Sequence, residues 1–294
     1  VIYSIISLKK NCGGTLVGKV LDDSFLAAVK SNRLTYIGIP SLNDFPELVH
    51  GFTTRFGGVS QGDFSTLNLN FNRPDPAENV RENYKIIGEK LGVSVHDMVL
   101  SHQVHCKNVL PVNRSHAGMG IVRDRSYNDI DGLATDQAGL MLVTLYADCV
   151  PVYFYDPVNR VIAVAHSGWK GTLLNIAAET LRVLKDFYCC NPVNIHAAFG
   201  PHIGACCFDV DIDVADLFTS TFEWAGDYIS KAPGDKRIID LEGIITKNLV
   251  ISGVPEENIS GCRICTKCHR DIFFSYRGSG GKCGTGAAFL MIRG

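Results

Sequence analysis

No apolar run in this 294-residue chain approaches the roughly eighteen residues a helix needs to span a bilayer, so no membrane helix is expected. Charge of one sign is also missing in bulk: 28 basic and 30 acidic residues leave a net charge of −2. Without a Lys/Arg-rich run there is no basic footprint for a nucleic-acid polymer, although small phosphate-bearing partners stay compatible. The opening VIYSIISLKKNCGG has too short an apolar stretch for a secretory signal, and its lysines follow that stretch instead of preceding it. No solenoid repeat, low-complexity tract or Pro/Gly/Ser-rich linker divides the chain, so one domain is expected over 1–294. Cysteine is not scarce, but its eleven copies are odd in number and include the adjacent pairs Cys189/Cys190 and Cys206/Cys207. A secreted disulfide scaffold has a different pattern. Reduced thiols in a cytoplasmic protein are expected, with a few of them serving a metal.

A hydrophobic fraction of 46% supports a substantial core. The first forty-odd residues alternate apolar and polar, in TLVGKVLDDSFLAAV and LTYIGIP, which predicts antiparallel strands. Asp75 to Leu91 predicts a helix, with Pro76 in its first turn and Val80, Tyr84, Ile87 and Leu91 as its apolar stripe. MVLSHQVH, GLMLVTLYADC, VPVYFYD and RVIAVAH read as strands. A helix follows from Thr172 to about Tyr188, then a strand in NIHAAFG. FFSYR and AAFLMIR predict a closing hairpin. The sum is α+β with mainly antiparallel or mixed pairing. It is not the βαβα alternation of a doubly wound sheet.

Three segments place a metal-ligand side chain at the end of a predicted strand. His105 ends SHQVH on the face shared by Val99, Ser101 and Gln103; Cys149 sits in LYADCVP, between two apolar strands; His166 ends VIAVAH before the turn SGWKG. Two imidazoles and a thiolate suit zinc, and three protein ligands leave a fourth position open, which is the catalytic pattern. By spacing alone, however, these residues read more readily as hydrogen-bonded histidines and a buried thiol.

HGFTTRFGGVS, SHQVH, ADCVP, HSGWKG, GPHIGACCFDV and CTKCHRDIFFSYR follow one another in that order between about His50 and Gly286. Together they resemble the YfiH/laccase-domain family, also described as FAMIN-related purine nucleoside phosphorylases. The resemblance implies a single-domain four-layer α/β/β/α sandwich with mixed sheets, and a zinc ion on His105, Cys149 and His166. It also implies phosphorolysis of adenosine, inosine and methylthioadenosine, with adenosine deamination at the same pocket. In that frame Arg55 and Lys170, in glycine turns, are the cations expected near phosphate. Gln103 is expected to orient His105 or touch the base, and Asp148 to orient His166 or Lys170. Asn68 is a candidate for ribose or the metal's surroundings, with a turn cap as its alternative. Cys207 is a candidate pocket residue, with a packed thiol as its alternative. Where the family usually has Tyr-Glu this chain has Phe208 and Asp209, which puts a base-recognition role there in doubt.

Cys262, Cys265, Cys268 and His269 form C-x2-C-x2-C-H, a spacing able to hold a second zinc. The resemblance implies the latter two cysteines without a metal. The glycine-rich run from Gly278 to Gly286 opens into a strand, so it is expected to be a hairpin turn and not a phosphate loop. Three rival readings remain: a copper-dependent polyphenol oxidoreductase, a Cys–His hydrolase with Cys149 as nucleophile and His166 as base, and a non-enzymatic binding module. Two histidines and one cysteine supply at most one copper centre, so copper is disfavoured.

Overall fold

A computed structural model describes residues 23–294. The strand expected in TLVGKV therefore lies outside the described residues. The adjoining DSFLAAV is helical, not extended. Asp23–Ser31 is a helix, anchored by the buried Leu26 and Val29, which lie three apart on one face.

Strand alternation sets the layers. In Met141–Tyr146, Leu142 and Tyr146 point to one cluster of apolar side chains, and Met141 and Val143 to another. Gly286–Ile292 divides the same way, with Ala288, Leu290 and Ile292 inward and Ala287, Phe289 and Met291 outward. Val150–Asp156 sends Tyr153 and Tyr155 toward the inner cluster, and Val152 and Phe154 to the opposite face. A period of two with both faces buried is why these strands read as unbroken apolar runs. Truncating a side chain such as Phe154 to Ala is expected to cost about 3–5 kcal/mol.

Two mixed sheets result. The first runs Tyr36–Ile37, Leu48–Thr53, Gly286–Ile292, Met141–Tyr146, Met98–Leu100. The second runs Ile259–Gly261, His196–Phe199, Val150–Asp156, Val161–Ser167, Gly132–Thr135, Val109–Pro111. Both are antiparallel at the centre; the second ends in parallel pairing on both sides, the first only at Met98–Leu100. The helix Ala77–Leu91 covers the outer face of the first sheet through Val80 and Tyr84. Ile176–Tyr188, Ile212–Thr221 and Leu241–Ile251 cover the outer face of the second. The layers are thus α/β/β/α, with a small antiparallel sheet of Asp209–Asp211, Lys236–Ile239 and Ile229–Lys231 at one side.

Three sequence expectations are corrected. The helix expected from Thr172 is two helices, Trp169–Leu173 and Ile176–Tyr188. Asn175 between them adopts φ +57 and accepts the Ala178 amide, both of which suit asparagine at a helix start. The strand expected through SHQVH stops at Leu100. Beyond it, the amides of Val104, His105 and Cys106 all donate to the Asp131 carboxylate and not to a sheet neighbour. FFSYR forms no hairpin, because Gly286–Ile292 pairs on both sides with Leu48–Thr53 and Met141–Tyr146.

Candidate active site and metal centre

The site forms where the chain passes from one sheet to the other. Met141–Tyr146 belongs to the first sheet and Val150–Asp156 to the second, so Ala147–Cys149 is the crossing. Asp148 takes φ +96 there, a conformation few non-glycine residues adopt. Fixed partners hold it: its carboxylate accepts from Thr266 Oγ1 at 2.6 Å and from the Arg277 amide at 2.6 Å. The next residue, Cys149, is thereby aimed at the pocket.

His166 faces it from the neighbouring strand, one residue before that strand's end, in register with Pro151. His105 comes from the loop after Leu100, itself at φ +65. Its Nε2 lies 3.9 Å from Cys149 Sγ, and the two imidazole centroids are 4.9 Å apart. Ligand atoms of all three residues lie within 4.8 Å of one another. Gly168 makes this convergence possible, since a Cβ there would stand 2.8 Å from Cys149 Sγ and 3.1 Å from the His105 ring.

Asp131 organises both histidines. Besides accepting the amides of the His105 loop, it holds His166 Nδ1 at 2.7 Å. That fixes the ring and leaves Nε2 as the nitrogen toward the thiol, the carboxylate–histidine pairing common behind metal ligands. Burial alone would raise the carboxyl of Asp131, but the His166 hydrogen bond and charge and the Val104 amide bring it down to about 2. Burial would likewise raise the Cys149 thiol. The charge of His166 and hydrogen bonds from both imidazoles outweigh it, holding the thiol near about 6. Burial pulls His166 down, yet the Cys149 thiolate and Asp131 lift it to about 9. One thiol sulfur facing two imidazole nitrogens, one of them on a ring fixed by Asp131, is a donor set that fits a soft or borderline divalent metal.

The cavity beside this trio measures about 540 Å³, within the ordinary size of a small-molecule site. Phe71, Trp169, Phe208 and Tyr276 contribute aromatic surface, and Arg73, Arg125 and Arg277 contribute charge. Arg277 is paired with Asp209 at 3.2 Å. Arg73 and Arg125 have no carboxylate within ion-pair distance among the described residues. Their Nε groups reach only Thr285 Oγ1 and the Leu100 carbonyl.

The structure distributes the other sequence candidates differently. Gln103 does line the cavity, but its amide is spent on the Leu145 backbone, donating to the carbonyl and accepting the N–H at 2.7 Å each. Asp148 lines the cavity too, and its partners are Thr266 and Arg277, not His166 or Lys170. Arg55 is not in the cavity wall. Its guanidinium donates to the Ser65 and Arg270 carbonyls and lies over Phe274. Lys170 is exposed on its helix, over the Trp169 ring. Asn68 is fully buried outside the cavity wall, donating to Asp75 and accepting the Thr285 amide. Cys207 is likewise outside it, its Sγ 3.5 Å from that of Cys268. Sequence reasoning missed Asp131 and the three cavity arginines. YNDIDG, FNRPDP, VRDRSY and FFSYRG held them, in loops with no periodic signal.

A family model described as multi-copper polyphenol oxidoreductase laccase matches residues 49–293. The chain belongs to this laccase-domain, or YfiH, family. Purine nucleoside phosphorylase YlmD of Geobacillus stearothermophilus is 34% identical over 253 residues, covering 85% of this chain and 92% of the relative. A purine nucleoside phosphorylase of Bacteroides thetaiotaomicron is 31% identical over 269 residues, covering 91% and 99%. Among solved structures, YfiH of Bacillus licheniformis superposes with a TM-score of 0.84 at 34% identity, covering 88% of this chain and 97% of that one. YlmD of Geobacillus stearothermophilus gives 0.84 at 31%, covering 89% and 97%. These likenesses support an enzyme of the laccase-domain family. Among the described residues no helix is long and apolar enough to cross a membrane.

Proposed function

We propose that this protein is a zinc-dependent purine nucleoside phosphorylase acting on adenosine, inosine and methylthioadenosine, with adenosine deamination at the same pocket. The observation that carries the reading is one cavity bounded by both the His105–Cys149–His166 donor set and the cations Arg73 and Arg125, which lack carboxylate partners among the described residues. A phosphorylase must hold a polyanion against the ribose while charge develops on the breaking glycosidic bond. Guanidinium groups suit phosphate through their forked N–H geometry. Phe71, Trp169, Phe208 and Tyr276 offer faces on which a purine can stack. Arg73 and Arg125 are the phosphate candidates, in place of Arg55 and Lys170, which the motifs suggested. Asp131 keeps the His166 ring oriented, and Gln103 holds the His105 loop against the Leu145 strand. A zinc ion held by His105, Cys149 and His166 would supply Lewis acidity beside the bound nucleoside.

The relatives' names support phosphorolysis, and the family's description supports the copper reading. Against a multicopper machine, His105 and His166 are the histidines found in a ligand cluster among the described residues. We read the protein as cytoplasmic, a reducing setting in which the free thiols of the described cysteines would persist.

The Cys–His hydrolase reading has one observation in its favour, the Cys149–His166–Asp131 chain with its lowered thiol. Convergence of a second imidazole on the same sulfur favours the metal. The deciding experiment incubates inosine or adenosine with the protein, with and without phosphate, while oxygen uptake and Cys149 alkylation are followed. Free base and ribose 1-phosphate should form only with phosphate, without oxygen uptake, and Cys149 should label slowly until a chelator is added. Copper-proportional oxidation of phenols, or rapid alkylation in metal-replete protein, would contradict it.

A further inference from the structure

We propose that Cys206, Cys207, Cys265 and Cys268 bind a second zinc ion, in a closed all-sulfur site that is structural and separate from the pocket. The four sulfurs lie within 4.8 Å of one another. Cys268 Sγ stands 3.6 Å from that of Cys206 and 3.5 Å from that of Cys207. A tetrahedron of thiolates at the usual zinc–sulfur length of about 2.3 Å has its sulfurs about 3.8 Å apart, so little rearrangement is needed to seat the ion. Because Cys268 is shared about equally between two partners, a single disulfide does not account for the arrangement.

The backbone is shaped for a ligand at this point. Cys265 and Cys268 are the ends of a C-x2-C turn, and the Cys268 amide points back at Cys265 sulfur. The Gly204 amide donates to the same sulfur at 3.3 Å. Amides aimed at sulfur stabilise the thiolate that a metal requires. Two further contacts clamp the turns together: a parallel bridge between His202 and Cys265, and the Thr266 amide on the His202 carbonyl at 2.9 Å. Four soft ligands and no open position match a structural zinc site. On binding, each ligating S–H gives its proton to solvent and its sulfur lone pair to the ion.

The sequence pointed to a different set. Cys262 is buried in the core between the sheets, and neither it nor His269 belongs to this group. The true partners, Cys206 and Cys207, come from a turn about sixty residues earlier in the chain.

The place of the site gives it a purpose. Both turns lead to Asp148: the Ile203 amide donates to its carbonyl, and Thr266 to its carboxylate. Ile203 and Phe208, on either side of the first turn's cysteines, line the cavity. An ion joining the turns braces the wall behind Cys149.

The test titrates cobalt(II) into chelator-stripped, full-length Cys149→Ala protein, whose pocket site has lost its thiolate. Intense sulfur-to-cobalt charge-transfer absorption should saturate at one ion in this cluster. Adding Cys268→Ser, an exposed position, should weaken cobalt binding at least tenfold, and Cys265→Ser together with Cys268→Ser should abolish the saturable band. Native mass spectrometry of unstripped Cys149→Ala protein should show bound zinc. No charge-transfer band in Cys149→Ala would overturn the proposal. So would iron in place of zinc, or a mass deficit of two hydrogens marking a disulfide. None of these readouts depends on turnover, so the proposal can fail while the phosphorylase reading stands.

Discussion

Two sulfur-bearing clusters are tied to Asp148, one through its neighbour Cys149 and one through the turns that carry Ile203 and Thr266, and they differ in donor type, origin and access to the cavity. His105, Cys149 and His166 mix nitrogen with sulfur, come from three separated segments and face a cavity. Cys206, Cys207, Cys265 and Cys268 are all sulfur, come from two clamped turns and lie outside the cavity wall. As proposed, the first would leave a coordination position for substrate, and the second would use all four positions itself. Their supports differ as well. Asp131 orients the His166 imidazole and holds the His105 backbone in the first, whereas backbone amides hold sulfur in the second. Openness, not the presence of cysteine, is what separates a reacting centre from a brace.

Exchanging single residues sharpens that contrast, beginning with the largest effect. Cys149→Ala should lower phosphorolysis by at least about 100-fold, the usual scale for losing an aimed electrostatic group, while its thermal midpoint changes little. Cys268→Ser should do the reverse, lowering the midpoint while turnover at low temperature survives. Parallel calorimetry and product chromatography check both. If both variants lose activity equally at low temperature, the division between reacting centre and brace is wrong.

Asp131→Asn comes next. It keeps the shape but weakens the hold on His166, so zinc affinity in a competition with a chromophoric chelator should fall about 10- to 100-fold. Metal content at the four-cysteine cluster should not change. An unchanged affinity at the pocket site would mean that Asp131 does not tune the metal ligands.

A smaller effect lies outside both clusters and serves as their control. His50 is buried in the first sheet, where Nδ1 accepts the Ile39 amide at 3.1 Å. Burial holds its imidazole down to about 4, from an ordinary value of 6.5. The unfolded chain therefore takes up a proton near pH 6.5 that the folded one refuses until about pH 4. Stability should fall as pH drops through that window, by up to about 3 kcal/mol from this group. Denaturant melts of wild type and His50→Gln should differ in slope only there. Identical slopes would mean that acid sensitivity arises elsewhere, with the metal ligands the next candidates.

His105, Cys149 and His166 were legible in the sequence because each sits in a short local motif and the ordered motifs named its company, although His105 lies in the loop beyond Leu100 and not at a strand end. The long apolar strands were legible for the same local reason. For Arg55 and Lys170 the motif gave the position of a cation but not its direction, and neither lines the cavity wall. One guanidinium turns to backbone carbonyls and the other side chain lies on an exposed helix face. Arg73, Arg125 and Arg277 reach a common cavity from loops far apart in sequence, a convergence that only the sheet crossing creates. The four-cysteine cluster was half legible. C-x2-C announced itself, but local spacing nominated Cys262 and His269, and tertiary pairing supplied Cys206 and Cys207 in their stead. Asn68 shows the limit from the other side: its turn-forming alternative, the plainer one, describes it better than a pocket role.

The contrast between an open and a closed site is tested most directly by anomalous X-ray scattering from crystals of the untreated protein, recorded across the zinc and copper edges. A zinc peak should appear among His105 Nε2, Cys149 Sγ and His166 Nε2, and a second at the centre of the four cysteine sulfurs, with no copper signal. Copper at the first position, or no metal at either, would contradict it.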